Sequence, residues 1–209
     1  MTPERPDFSL RSTWVALFRQ VASNPSNPTE PHDPGQGPPP IRPFGNDDPS
    51  IEAWSIAMQA GDPSAASRLM GLVGEAADDE PAPMLAPRDD LAIEVWTECE
   101  LSVMHAAWRI VIKADGDSGV AGLEQRVKSA IAWHLERTQP DNATTHPWGV
   151  HAVLELGSPW MEAADYAASM IHAVEASSHV STGLDPLSSW ILLDAAAGLE
   201  ARNGLDFGA

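Results

Sequence analysis

A capping residue followed by proline recurs along this chain, at Asp48-Pro49, Asp62-Pro63, Ser158-Pro159 and Asp185-Pro186. Such a pair suits the start of a helix, because the side chain caps the first turn and proline's missing N–H costs nothing there. His146-Pro147 has the same form with a weaker cap. These marks predict helices near 50–60, 63–76, 147–157, 159–178 and 186–202. Apolar spacing adds longer helices near 90–113 and 121–138 and an N-terminal one over 9–22. No alternating run predicts a strand. The expected fold is all-α: an orthogonal bundle of about seven helices built from antiparallel helical hairpins.

The organisation expected is three-part. Residues 1–22 carry an amphipathic helix whose stripe is Leu10, Trp14, Leu17, Phe18 and Val21. Residues 23–47 form a proline-rich linker, with Pro25, Pro28, Pro31 and Pro34 at threefold spacing before Pro38-Pro39-Pro40 and Pro43. That spacing suits a stiff polyproline spacer, or a ligand for an aromatic groove. Residues 48–209 make the helical domain, with a hairpin over 48–80 and the main core over 89–209. The N-terminal stripe has to be buried, on the domain, on a protein partner or on a second copy.

Charge excludes some functions. Thirty acidic residues against twelve basic ones give a net charge of -18. Phosphate backbones and anionic lipid surfaces are bound through Lys and Arg, so neither nucleic acid nor a membrane is expected as partner. Cys99 is the single cysteine, so no intrachain disulfide and no thiolate cluster for zinc can form. It sits away from the main stripe of its helix between Glu98 and Glu100, which disfavour a thiolate. The N-terminus lacks a signal pattern and no apolar run reaches spanning length, so a cytoplasmic location is expected.

Three ionisable residues occupy apolar stripes. Glu100 falls in the face formed by Ile93, Trp96, Val103, Met104, Ala107, Trp108 and Val111, whereas Glu94, Glu98 and Arg109 lie at its edge or outside. His134 falls among Leu123, Val127, Ala130, Ile131 and Thr138; Asp194 falls among Leu187, Trp190, Ile191, Ala197, Gly198 and Ala201. Glu100 and His134 lie 13 residues from Lys113 and Ala121, the two ends of a short connection. Equal rise brings them level across a hairpin. Asp194 is a candidate third member. Buried ionisable groups are paired, neutralised or bound to a cation. The cluster is therefore a register-fixing pair, an acid/base pair under a pocket, or a divalent-metal site of Glu100, His134 and Asp194 with His146 or His151.

Pro140 ends helix 121–138, and Asp141-Asn142 forms a turn from which Thr144 or Thr145 can cap the next helix. Asp141, Asn142, His146 and His151 are the expected rim of any pocket at that end. His151 with Glu155, and His172 with Glu175 and His179, share helix faces and read as exposed pairs. Phosphate loops, nucleophile elbows and dinucleotide fingerprints are missing. The Trp-bearing helices with proline-marked starts resemble helical-hairpin folds, including fragments of α/α toroids. That likeness brings no catalytic residues with it.

The leading expectation is an interaction or regulatory module without catalysis or cofactor, holding a protein partner through a groove or the N-terminal helix. The alternative is a metal-assisted or acid/base hydrolase built on Glu100, His134 and Asp194. A third is a small neutral or cationic ligand bound against the tryptophans.

Overall fold

A computed structural model describes residues 7–23, 39, 48–74, 80–114, 118–138, 144–180 and 183–202. The proline-rich linker (apart from Ser23 and Pro39), Asp141 and Asn142 lie outside the described residues. The chain is all-helical. Eight α-helices occur among the described residues: α1 Arg11–Ala22, α2 Pro49–Ala57, α3 Ala65–Val73, α4 Ile93–Lys113, α5 Ala121–Arg137, α6 Val150–Leu156, α7 Trp160–Val180 and α8 Pro186–Ala201.

Two of the proline-marked starts act as caps. The Asp48 carboxylate accepts the Ser50 N–H at 2.9 Å, and Asp185 accepts those of Leu187 and Ser188 at 3.0 and 2.9 Å. Asp62 instead accepts the Ser64 N–H in a tight turn, and α3 begins at Ala65. His146-Pro147 does not open a helix either. A turn through Trp148 follows, Gly149 takes φ +69°, and α6 begins only at Val150 without a side-chain cap.

Helix α4 is the centre of the molecule. It packs against α2, α3, α5, α6 and α8. Its sixteen consecutive residues from Trp96 to Val111 are all buried. A single apolar stripe therefore describes it poorly: Glu98, Cys99 and Arg109, expected at its edge or away from it, lie inside. Burial pushes the Cys99 thiol up to about 12, with Asp48 and Glu98 adding to the effect, so it stays protonated.

The N-terminal helix is docked. Trp14, Phe18 and Val21 of α1 are buried, and α1 packs along α8. Full burial of a large apolar side chain contributes roughly 1.5–3 kcal/mol, so this seam is substantial. Polar contacts fix its register. The Ser189 hydroxyl donates to Ala22 O at 3.0 Å, Arg19 pairs with Glu200 at 2.7 Å, and Arg11 pairs with Glu155 of α6. The chain itself covers Trp14, Phe18 and Val21 of the expected stripe, while Leu17 is half-buried and Leu10 exposed.

With α1 on one side and α4 and α6 on others, α8 buries Ser188, Ser189 and Leu192 besides Trp190, Ile191 and Asp194. Ala197 and Ala201, expected in its buried stripe, are exposed. These small residues leave a gap that shapes the site below. No helix among the described residues is long and apolar enough to cross a membrane.

Candidate functional site

Glu100 and His134 face each other between α4 and α5, both fully buried, with Oε1 and Nε2 3.5 Å apart. That is long for a hydrogen bond. The carboxylate is spent on the backbone instead: it accepts the N–H groups of Met84 and Leu85 at 2.5 and 2.7 Å. Arg126 of α5 holds the same segment by its carbonyls, Ala82 at 2.8 Å and Pro83 beside it. His134 Nδ1 meets the Thr138 hydroxyl at 3.1 Å, which also bonds Tyr166 at 2.9 Å. This cluster ties the segment before α4 to the bundle.

Asp194 is not with them. It lies across α4, where Oδ2 is 3.0 Å from His105 Nε2 and Oδ1 is paired with Arg109. His105 and Arg109 are four residues apart, hence on one helix face. The third element is the 144–149 turn: the Gly149 N–H donates to His105 Nδ1 at 3.0 Å. A Cβ at residue 149 would come within 2.6 Å of Met104 Cε, and φ is positive, so glycine is needed twice over. With Nδ1 accepting, the neutral ring carries its proton on Nε2 and donates it to Asp194. Burial, reinforced by the Arg109 charge, lowers His105 to about 3, so it is neutral. Both oxygens of Asp194 are engaged.

His151 completes the group. Its ring centroid is 4.4 Å from that of His105, it is fully buried, and neither ring nitrogen has a hydrogen-bond partner among the described residues. Burial, then the neighbouring His105 and Arg109, push its pKa well below the ordinary histidine value. The expected surface pair with Glu155 does not form, because α6 is enclosed and Glu155 turns to Arg11. One atom each of His105, His151 and Asp194 lie within 4.8 Å of one another, a spacing a metal could use. The donor set argues against one. His105 offers no lone pair there without losing its Nε2 proton, and the Arg109 guanidinium already occupies Asp194.

Beside this group lies a cavity of about 200 Å³. Arg109, Ile112 and Lys113 of α4, His151 of α6, and Asp194, Ala197, Gly198 and Ala201 of α8 line it, and its exposed lining is almost wholly apolar. Gly198 is what lets His151 form that wall: an added Cβ would sit 2.9 Å from His151 Cδ2 and 3.0 Å from Ile112 Cδ1. A glycine inside a helix costs about 1 kcal/mol relative to alanine, so the space is kept at a cost.

No family model, curated protein or solved structure matches this chain. The site has to be read from its own chemistry.

His146 belongs to a separate triad. Its Nδ1 bonds Glu98 Oε1, and its Nε2 lies 3.6 Å from Asp185, the cap of α8. Glu98 also accepts the Trp148 indole N–H and the Thr145 N–H, at 2.8 and 2.9 Å. Burial opposes the charged form of His146, but Asp185 and Glu98 outweigh it and raise the ring to about 9. The folded-state value lies above that of an unfolded histidine, ~6.5. Its stabilisation is therefore complete below that value and is lost as pH rises through about 9. Wild-type protein should lose of order 2 kcal/mol more stability between pH 6.5 and 9.5 than His146→Gln. Denaturation at the two pH values measures this, and parallel losses would remove the triad from the account.

Among the outer histidines, His172 and Glu175 are exposed, and the His179 side chain lies outside the described residues. Sequence reasoning missed His105, and it left Arg109 at the edge of the stripe. Their i,i+4 spacing was the available signal, but on a helix buried on all sides no stripe singles them out.

Proposed function

We propose that the protein is a non-catalytic module that binds a small, mainly apolar molecule in the cavity between α4, α6 and α8. We take its helices as an orthogonal bundle of antiparallel hairpins. One observation carries the reading: where α4, α6 and α8 meet, Ala197, Gly198 and Ala201 leave a cavity whose exposed lining is almost wholly apolar. Concave sites lined mainly by apolar surface are where proteins hold small molecules. The volume supports a compact occupant, since an apolar cavity of about 150 Å³ holds benzene.

The hydrolase reading draws less support. A general base works best with a pKa near the operating pH, and burial moves His151 far below it. Glu100 is occupied by backbone N–H groups, and Asp194 by Arg109 and His105.

The test uses the exposed rim. Toluene added to the labelled protein should shift the NMR signals of Ile112, Ala197 and Ala201. Ala201→Trp, which fills the cavity from an exposed position, should abolish those shifts with little change in stability. Toluene shifts that persist unchanged in the variant, or none in the wild type, would sink the reading.

A further inference from the structure

We infer that the occupant of this cavity is a compact monocarboxylate, with its hydrocarbon body between α4, α6 and α8 and its carboxylate at the mouth, on the Lys113 ammonium. The inference rests on the small-ligand reading and narrows it.

The walls set the body of the ligand. Ile112, Ala197 and Ala201 offer methyl and methylene surface, and the volume of about 200 Å³ admits one six-membered ring or an alkyl chain of similar bulk. A charged head group has to stay at the mouth, because it would lose its hydration against aliphatic walls.

Lys113, in the last turn of α4, stands at that mouth. It lines the cavity, yet the residue is exposed and the lining itself is almost wholly apolar. A lysine so placed lays its methylene stem along the wall and carries its ammonium to water. No carboxylate pairs with it among the described residues. The other charges of the lining cancel, since Asp194 is paired with Arg109, and burial keeps His151 neutral. Lys113 is thus the uncompensated charge of the site. Burial, then the Arg109 guanidinium, lower its pKa from the ordinary lysine value, so the two cations feel each other's field. An anion at the mouth relieves that repulsion, and a second ammonium adds to it. The net charge of -18 opposes an anion only from a distance, and physiological salt screens it beyond about 8 Å.

Benzoate, toluene and benzylamine share one ring and differ in charge, so they form the probe set. NMR titration of the full chain should show benzoate moving the signals of Ile112, Ala197 and Ala201 together with those of the Lys113 side chain, and binding more tightly than benzylamine. Added salt should weaken benzoate and leave toluene unchanged. In Lys113→Met, which keeps an apolar stem, benzoate affinity should fall about three- to fivefold while toluene changes less than about twofold. Lys128→Met, at the exposed lysine of α5, should change neither. Toluene binding without benzoate, benzoate affinity unmoved by salt and by Lys113→Met, or tighter binding of benzylamine overturns the carboxylate assignment and leaves the cavity reading intact. If no probe binds, the small-ligand reading falls together with it.

Discussion

Asp194→Ala is expected to lower the unfolding free energy by about 3–5 kcal/mol, the usual cost of stranding one partner of a buried ion pair. The variant takes the Asp194 carboxylate away from the Arg109 guanidinium and removes the acceptor of the His105 Nε2 proton. Asp194→Asn keeps an acceptor and the shape, and should lose less. Combining Asp194→Leu with Arg109→Met should recover part of the loss, since apolar replacement of a buried pair is often neutral. Urea denaturation of the four proteins gives the comparison. A loss below about 1 kcal/mol in Asp194→Ala would mean that water reaches Arg109, and that the pair does not seat the cavity wall.

Glu100→Ala should cost about 3 kcal/mol by a different route. It leaves the Met84 N–H buried, and the Leu85 N–H partly buried, without this acceptor, and a fully buried group of this kind costs roughly 1–3 kcal/mol. The damage should be local. Hydrogen exchange is expected to quicken first at Met84 and Leu85, then through the segment Arg126 holds by its carbonyls, before α4 itself opens. Glu100→Gln retains one acceptor oxygen and should fall between wild type and alanine. Uniform loss of protection across the bundle, with no early step at residues 84 and 85, would show that the carboxylate stabilises the core as a whole instead of stapling this segment. Either result separates Glu100 from the cavity between α4, α6 and α8, which it does not line.

Helix positions and starts were legible in the sequence because they depend on neighbours within a turn. Asp48 and Asp185 cap the helices their prolines announce, and the expected boundaries of α4, α5 and α8 fall within about three residues of the observed ones. The level placement of Glu100 and His134 follows from helical rise and a short connection, both local quantities. Partner choice was different. Periodicity records an angle about one helix axis, and says nothing of which helix stands at that angle. Only the packing of α8 against α4 and α6 delivers Asp194 to Arg109 and His105 instead of to Glu100. On α4, buried on every side from Trp96 to Val111, the contrast between stripe and edge vanishes, so no stripe singles out Glu98, His105 and Arg109. The cavity is a further step removed: it is the space that Ala197, Gly198 and Ala201 leave once three helices have met. Composition supplies small residues, and only tertiary packing turns them into a gap between three helices.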